Sequence, residues 1–146
     1  YIMQAEEPLN VYQKPQNHFV GSFIGSPAMN FFKVEVQGKT LVNQKFKLAI
    51  ADSHPDALKS YEGRQINLGI RPEHFKLMES PSSIKAQLEV SELMGNESYL
   101  YCTTGDDAFI ARVSDNAPRK IGTELNLFAD SGDFHFFDLE SGQRIE

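Results

Sequence analysis

From Phe31 to the end of the chain, apolar and polar residues alternate with a period of two, in one short segment after another. Phe32, Val34 and Val36 alternate with Lys33 and Glu35. Phe46, Leu48 and Ile50 alternate with Lys47 and Ala49, and Ile66, Leu68 and Ile70 with Asn67 and Gly69. Ile84, Ala86, Leu88 and Val90 alternate with Lys85, Gln87 and Glu89. Successive side chains of an extended backbone point to opposite faces, so each segment reads as a strand with one buried side. Segments 98–103, 107–113, 124–129 and 134–138 are also strand-like, with less distinct faces where Tyr99 and Tyr101 alternate with Leu100 and Cys102. Turn residues separate these runs, at Gln37-Gly38, Gly95-Asn96, Gly105-Asp106, Asp115-Asn116, Ser131-Gly132-Asp133 and Ser141-Gly142. About eight short strands with regular turns predict a sandwich or barrel. Residues 55–62 predict one helical turn after Pro55.

Residues 1–25 have a different period. Pro8, preceded by Glu6 and Glu7, suits a helix's first turn. Pro15 ends that helix and opens a second, in which Phe19, Val20, Phe23 and Ile24 form an apolar stripe. Gly25-Ser26-Pro27 is a stop signal. The expected division is therefore a helical segment at 1–25 and a β-domain at 26–146. A chain that opens on Tyr1 is expected to come from a longer protein.

At 146 residues the chain is long enough for a sizeable core. Its 14 Lys and Arg against 20 Asp and Glu give a net charge of −6, without a basic run. That disfavours nucleic acid or an anionic membrane as a partner, although some barrels of this kind bind single strands. Cys102 is the only cysteine, so no intrachain disulfide forms and a reducing compartment is the simplest reading.

Catalytic signatures are absent from the sequence. There is no GxxxxGK[ST] phosphate loop, GxGxxG, GxSxG or HExxH. His18, His54, His74 and His135 are widely spaced, and Asp130 and Asp133 read as a polar turn rather than a calcium loop. Asp106-Asp107 reads as a hairpin tip and Cys102 as inert core. Asn96-Glu97-Ser98 matches a glycosylation sequon by chance.

Three stretches in fixed order carry a family resemblance: YQKPQNHFVGSFIGSPAMNF at Tyr12–Phe31, LGIRPEHF at Leu68–Phe75 and VSELMGNESYLY at Val90–Tyr101, supported by FDLESGQRI at Phe137–Ile145. Together they resemble the C-terminal part of the ATP-binding subunits of bacterial ABC sugar importers, the maltose and glycerol-3-phosphate importer ATPases among them. The resemblance implies a mainly β fold of OB-like barrels of the transport-associated (TOBE) type after a short helical segment. Residues 1–25 would be the last helices of the ATPase domain, and 26–146 a regulatory domain.

The function so implied is regulation and dimerisation of the ATP-binding subunit. The alternative is a barrel that senses a small ligand, sugar or oxyanion. The chain itself would carry no catalytic, metal or cofactor site; ATP and magnesium would belong to the ATPase part of the whole protein. Expected partners are a second copy, the transmembrane permease subunits and regulatory proteins, at the inner face of the cytoplasmic membrane. Two groups of residues are candidates for an interface or regulatory contact: Arg71, Glu73 and His74, and Glu92, Asn96 and Glu97. Pro72 should hold Arg71 extended, with an Arg71–Glu73 cluster or a plain solvated turn as the two readings. Phe134, Phe136 and Phe137 read as core or dimer contact.

Overall fold

The computed structural model describes residues 29–51 and 55–146. The helices expected at 1–25, the stop at Gly25-Ser26-Pro27, His18 and His54 lie outside the described residues. The strands are β1 (Asn30–Gln37), β2 (Thr40–Val42), β3 (Lys47–Ala49), β4 (Gln65–Ile70), β5 (Lys76–Leu77), β6 (Ile84–Met94), β7 (Glu97–Thr104), β8 (Asp107–Val113), β9 (Glu124–Phe128) and β10 (His135–Asp138). They form two five-stranded sheets, ordered β10-β4-β1-β2-β3 and β5-β9-β6-β7-β8. The fold is mainly β, as the alternation requires, and agrees with the barrel type that the resemblance implies. Among the described residues no helix is long and apolar enough to cross a membrane.

The inward residues of the two sheets meet in one core. Phe32, Val34, Leu41, Leu48, Ile66 and Leu68 come from the first sheet, and Ile84, Leu88, Leu100, Phe109 and Leu127 from the second. Phe32 makes edge-on contacts with Phe46 at 5.5 Å and with Phe109 at 5.3 Å, and so ties the sheets together. Burying each such side chain stabilises the fold by roughly 1.5–3 kcal/mol. Phe134, Phe136 and Phe137 are all buried, as the core reading has it. At Gly69 β4 passes close under Met29, and a Cβ there would push the Met29 sulfur aside.

The predicted turns at Gly95-Asn96 and Gly105-Asp106 join β6 to β7 and β7 to β8. The turn after Pro55 is a 3-10 helix, Asp56–Tyr61, held by buried Leu58. Two strands escape the sequence pattern: β2, with Leu41 as its inward residue, and β5, which is two residues long. Neither is long enough to display an alternation.

One expectation is reversed. Val90 was grouped with Leu88 as buried, yet it is 48% exposed. The β6–β7 register runs Leu88↔Cys102 and then Val90↔Tyr101, leaving Glu89 as the extra residue of a bulge. A bulge shifts the alternation by one, so every later residue of β6 changes face. Val90, Glu92 and Met94 consequently share the outer face with Tyr101, Tyr99 and Glu97, their cross-strand partners.

Candidate interaction surface

The outer face of β6, β7 and β8 gathers most of the second candidate group. The Tyr101 hydroxyl donates to Glu92 Oε1 at 2.6 Å. That hydrogen bond to a carboxylate holds the Tyr101 phenol above its ordinary pKa. Thr103 Oγ1 donates to Glu89 Oε2 at 2.8 Å beside it. Tyr99 lies opposite Arg112 across the β7–β8 ladder, so the two share this face. Glu97 Oε2 stands 3.8 Å from Arg112 Nε. Tyr99 first, then Glu73 and Glu97, hold the Arg112 guanidinium above its usual pKa. Glu73 reaches Arg112 from the 3-10 turn Pro72–His74. Glu73, Glu97, Tyr99 and Arg112 thus form one polar patch, with Glu92 and Tyr101 adjoining. Leu93 and Met94, 56% and 51% exposed, stand at the end of the hairpin. Asn96 sits in the turn itself, between β6 and β7.

Ser98, the third residue of the sequon, points inward. It is fully buried, and its hydroxyl donates to the Asp115 carbonyl at 2.7 Å. Cys102 is buried in the same row, and burial pushes its thiol up to about 12.

The first candidate group surrounds the Pro72 turn. Arg71 takes the extended geometry that Pro72 imposes, with φ −73° and ψ 145°. It is 4% exposed, which rules out a solvated surface turn. Glu73 acts electrostatically on Arg112, and Arg71 and His74 act on His135 of β10. Arg144 acts there too. Burial first, then Arg144, Arg71 and His74, push the His135 imidazole down to about 4, so it is neutral at pH 7. Burial likewise holds Arg144 below its ordinary value.

Arg112, Tyr99, Tyr101, His135 and Arg144 were not singled out from the sequence. The hairpin could have revealed the tyrosines: closing 84–94 on 97–104 through Gly95-Asn96 places Glu92 opposite Tyr99. Arg144 and His135 needed the pairing of distant segments.

Two family models match the chain: the MalK OB fold domain at residues 25–75 and the TOBE domain at 68–137. The chain is 40% identical to the oligosaccharides import ATP-binding protein MsmX of Bacillus subtilis (strain 168), over 99% of this chain and 42% of that protein. It is 36% identical to the sn-glycerol-3-phosphate import ATP-binding protein UgpC of Yersinia pestis bv. Antiqua, over 98% of this chain and 40% of that protein. The chain therefore spans about two fifths of the length of these relatives. Among solved structures, the molybdate-bound cytoplasmic molybdate-binding protein ModG shares the fold, with a TM-score of 0.58 at 11% identity, covering 73% of this chain and 94% of that one. The order of the two matched domains, the barrel-forming sheets and the relatives agree: the chain belongs to the MalK-type OB and TOBE domain family carried by ATP-binding subunits of ABC sugar importers.

Proposed function

We propose that the β-domain is the regulatory and dimerisation module of an importer's ATP-binding subunit. Family membership supports the regulatory role, and the observation that carries the contact surface is the bulge at Glu89. It turns Val90 and Met94 outward beside Tyr99 and Tyr101, giving an amphipathic face rimmed by Glu73, Glu92 and Glu97. Such a face suits contact with another protein better than catalysis: its aromatic and apolar side chains supply contact area, and its charges set register. On this reading the domain starts near residue 26, and residues 1–25 belong to the ATPase part. ATP and magnesium bind elsewhere in the whole protein, which hydrolyses ATP at the cytoplasmic face with permease subunits. A second copy pairs through the β-domain, and regulatory proteins read the acidic rim.

The test is a pair of surface substitutions, Val90→Glu and Met94→Glu, examined by light scattering and circular dichroism. Both sites are exposed, so the fold should persist while self-association weakens. Unchanged self-association in both variants would place the dimer contact on another face.

A second reading, sensing of a small ligand, is favoured by one observation, the basic cluster around His135. The molybdate held by ModG is consistent with an oxyanion as that ligand.

A further inference from the structure

We propose that the outer face of the first sheet, around Gly69, is the seat of the segment that precedes β1, residues 15–28, held through the apolar stripe of Phe19, Val20, Phe23 and Ile24. The occupant is this chain's own segment, not a second copy. The seat and the proposed dimer contact lie on different sheets, so either stands without the other.

Strand parity defines the face. Phe32 and Val34 of β1, Ile66 and Leu68 of β4, and Phe136 of β10 point into the core. Phe31, Gly69 and Phe137 alternate with them and point outward. Register sets them side by side: Phe31 lies opposite Gly69, and Gly69 lies opposite His135, two residues before Phe137. The Phe31 and Phe137 rings meet edge-on at 5.7 Å. The Met29 side chain and the Phe137 ring fill the space above Gly69. Met29, Phe31 and Phe137 therefore form an apolar cluster of their own, outside the core between the sheets.

This corner does not behave as a solvated sheet face. Phe137 is completely buried and Met29 nearly so, although both point away from the core. Other outward residues of the same sheet, Lys33, Lys47 and Gln65, are polar and exposed, as a face open to water requires. The outer face is apolar at one corner only, where the chain enters β1.

That entry names the occupant. The Met29 side chain already rests on Gly69, so the chain comes into the domain across this face. Ile24 stands five residues upstream, and five extended residues reach about 17 Å. β1 and β10 flank β4, and are about 10 Å apart at ordinary strand spacing. The whole cluster is thus within reach of the stripe. Helical period puts Phe19, Val20, Phe23 and Ile24 on one side of their segment, and seating that side takes two apolar surfaces out of water together. The Met29 thioether adapts to the shape of aromatic rings packed on it. The tether decides between occupants: a segment joined by a few residues meets its seat at a far higher effective concentration than a second copy in dilute solution. If residues 1–25 end the ATPase part, the seat fixes that part against the β-domain and carries movement from one to the other. The seat itself follows from the geometry and does not need that reading.

The experiment places a nitroxide on Ser22→Cys in the whole chain, beside the stripe but not in it. Cys102 is buried, so the label goes to position 22. Amide NMR signals are read from two samples. In the first, the isotope-labelled chain carries the nitroxide and is diluted into excess natural-abundance chain without one, so broadening comes from its own label. In the second, the nitroxide sits on the natural-abundance chain alone. The expected result is loss of the Gly69, His135 and Phe137 signals in the first sample, reversed when the nitroxide is reduced, and no loss in the second. Met94 and Glu97 should keep full signals in both. Phe23→Asp breaks the stripe without touching the β-domain and should restore the lost signals. Loss in the second sample alone would make a second copy the occupant, and loss around Met94 would put the stripe on the second sheet. Full signals in both samples would leave the seat without this segment. Each of these three results overturns the proposal and leaves family membership and the regulatory reading in place.

Discussion

The side-chain amide of Asn30 makes two hydrogen bonds to one residue of the opposite sheet: Nδ2 donates to the Ile110 carbonyl at 2.7 Å, and Oδ1 accepts from the Ile110 N–H at 2.9 Å. β8 is an edge strand, and these backbone groups point away from its partner β7. Asn30 opens β1 and is 8% exposed, so the pair closes a sheet edge in a region that water barely reaches.

Asn30→Ala should therefore lower stability by roughly 1–3 kcal/mol, because it strands a buried donor and a buried acceptor. The denaturant midpoint should fall with an unchanged slope. Asn30→Asp should be damaging at neutral pH, where a carboxylate oxygen would face the Ile110 carbonyl. It should recover in part under acid, where the protonated carboxyl can donate again. A neutral-pH midpoint equal to wild type in either variant would remove the clamp from the account.

Asp138 gives a second, electrostatic handle on the first sheet. Its carboxylate accepts from the Ser141 N–H at 2.8 Å and from the Tyr61 hydroxyl at 2.7 Å. The Ser141 backbone bond first, then Tyr61, hold its carboxyl down to about 2. A depressed carboxylate stabilises the fold at pH values above its unfolded pKa of about 3.9. That contribution is lost as pH falls through the folded value of about 2. Wild-type melting temperature should thus drop between these limits more steeply than that of Asp138→Asn, which keeps one acceptor oxygen and has no proton to bind there. Parallel curves for the two proteins would contradict the assignment.

Cys102 should not react with thiol reagents in the folded protein. Its thiol is buried and pushed up to about 12, so the thiolate is scarce at neutral pH. Reaction with a disulfide reagent should track global unfolding across a denaturant series. Rapid labelling without denaturant would show that β7 opens locally.

The fold was legible wherever one strand face is apolar over several residues, as in β1, β4 and the first half of β6. Gly95, with φ of +67°, marked the β6–β7 hairpin for the same reason that it permits the turn. The bulge left no such mark. Glu89 resembles any outward residue of an alternating strand, and the exposure of Val90 follows from register alone. The candidate surface was half legible. Glu92, Asn96 and Glu97 lie on the readable hairpin, whereas Arg112 joins them only through the β7–β8 pairing and Glu73 only through its turn. Arg71 and His74 could be named from the Pro72 turn, but their neighbours could not. His135 reaches them because β10, at the far end of the sequence, pairs with β4, and local periodicity carries no information about such a partner.

The central claim is that the β-domain pairs with its own copy through the face that the bulge turns outward. Sedimentation equilibrium over a wide concentration range tests it most directly. The account predicts a reversible monomer–dimer equilibrium for the wild-type chain, shifted toward monomer in Met94→Glu with its β-type circular dichroism intact. A wild-type chain that stays monomeric up to high micromolar concentration would contradict it.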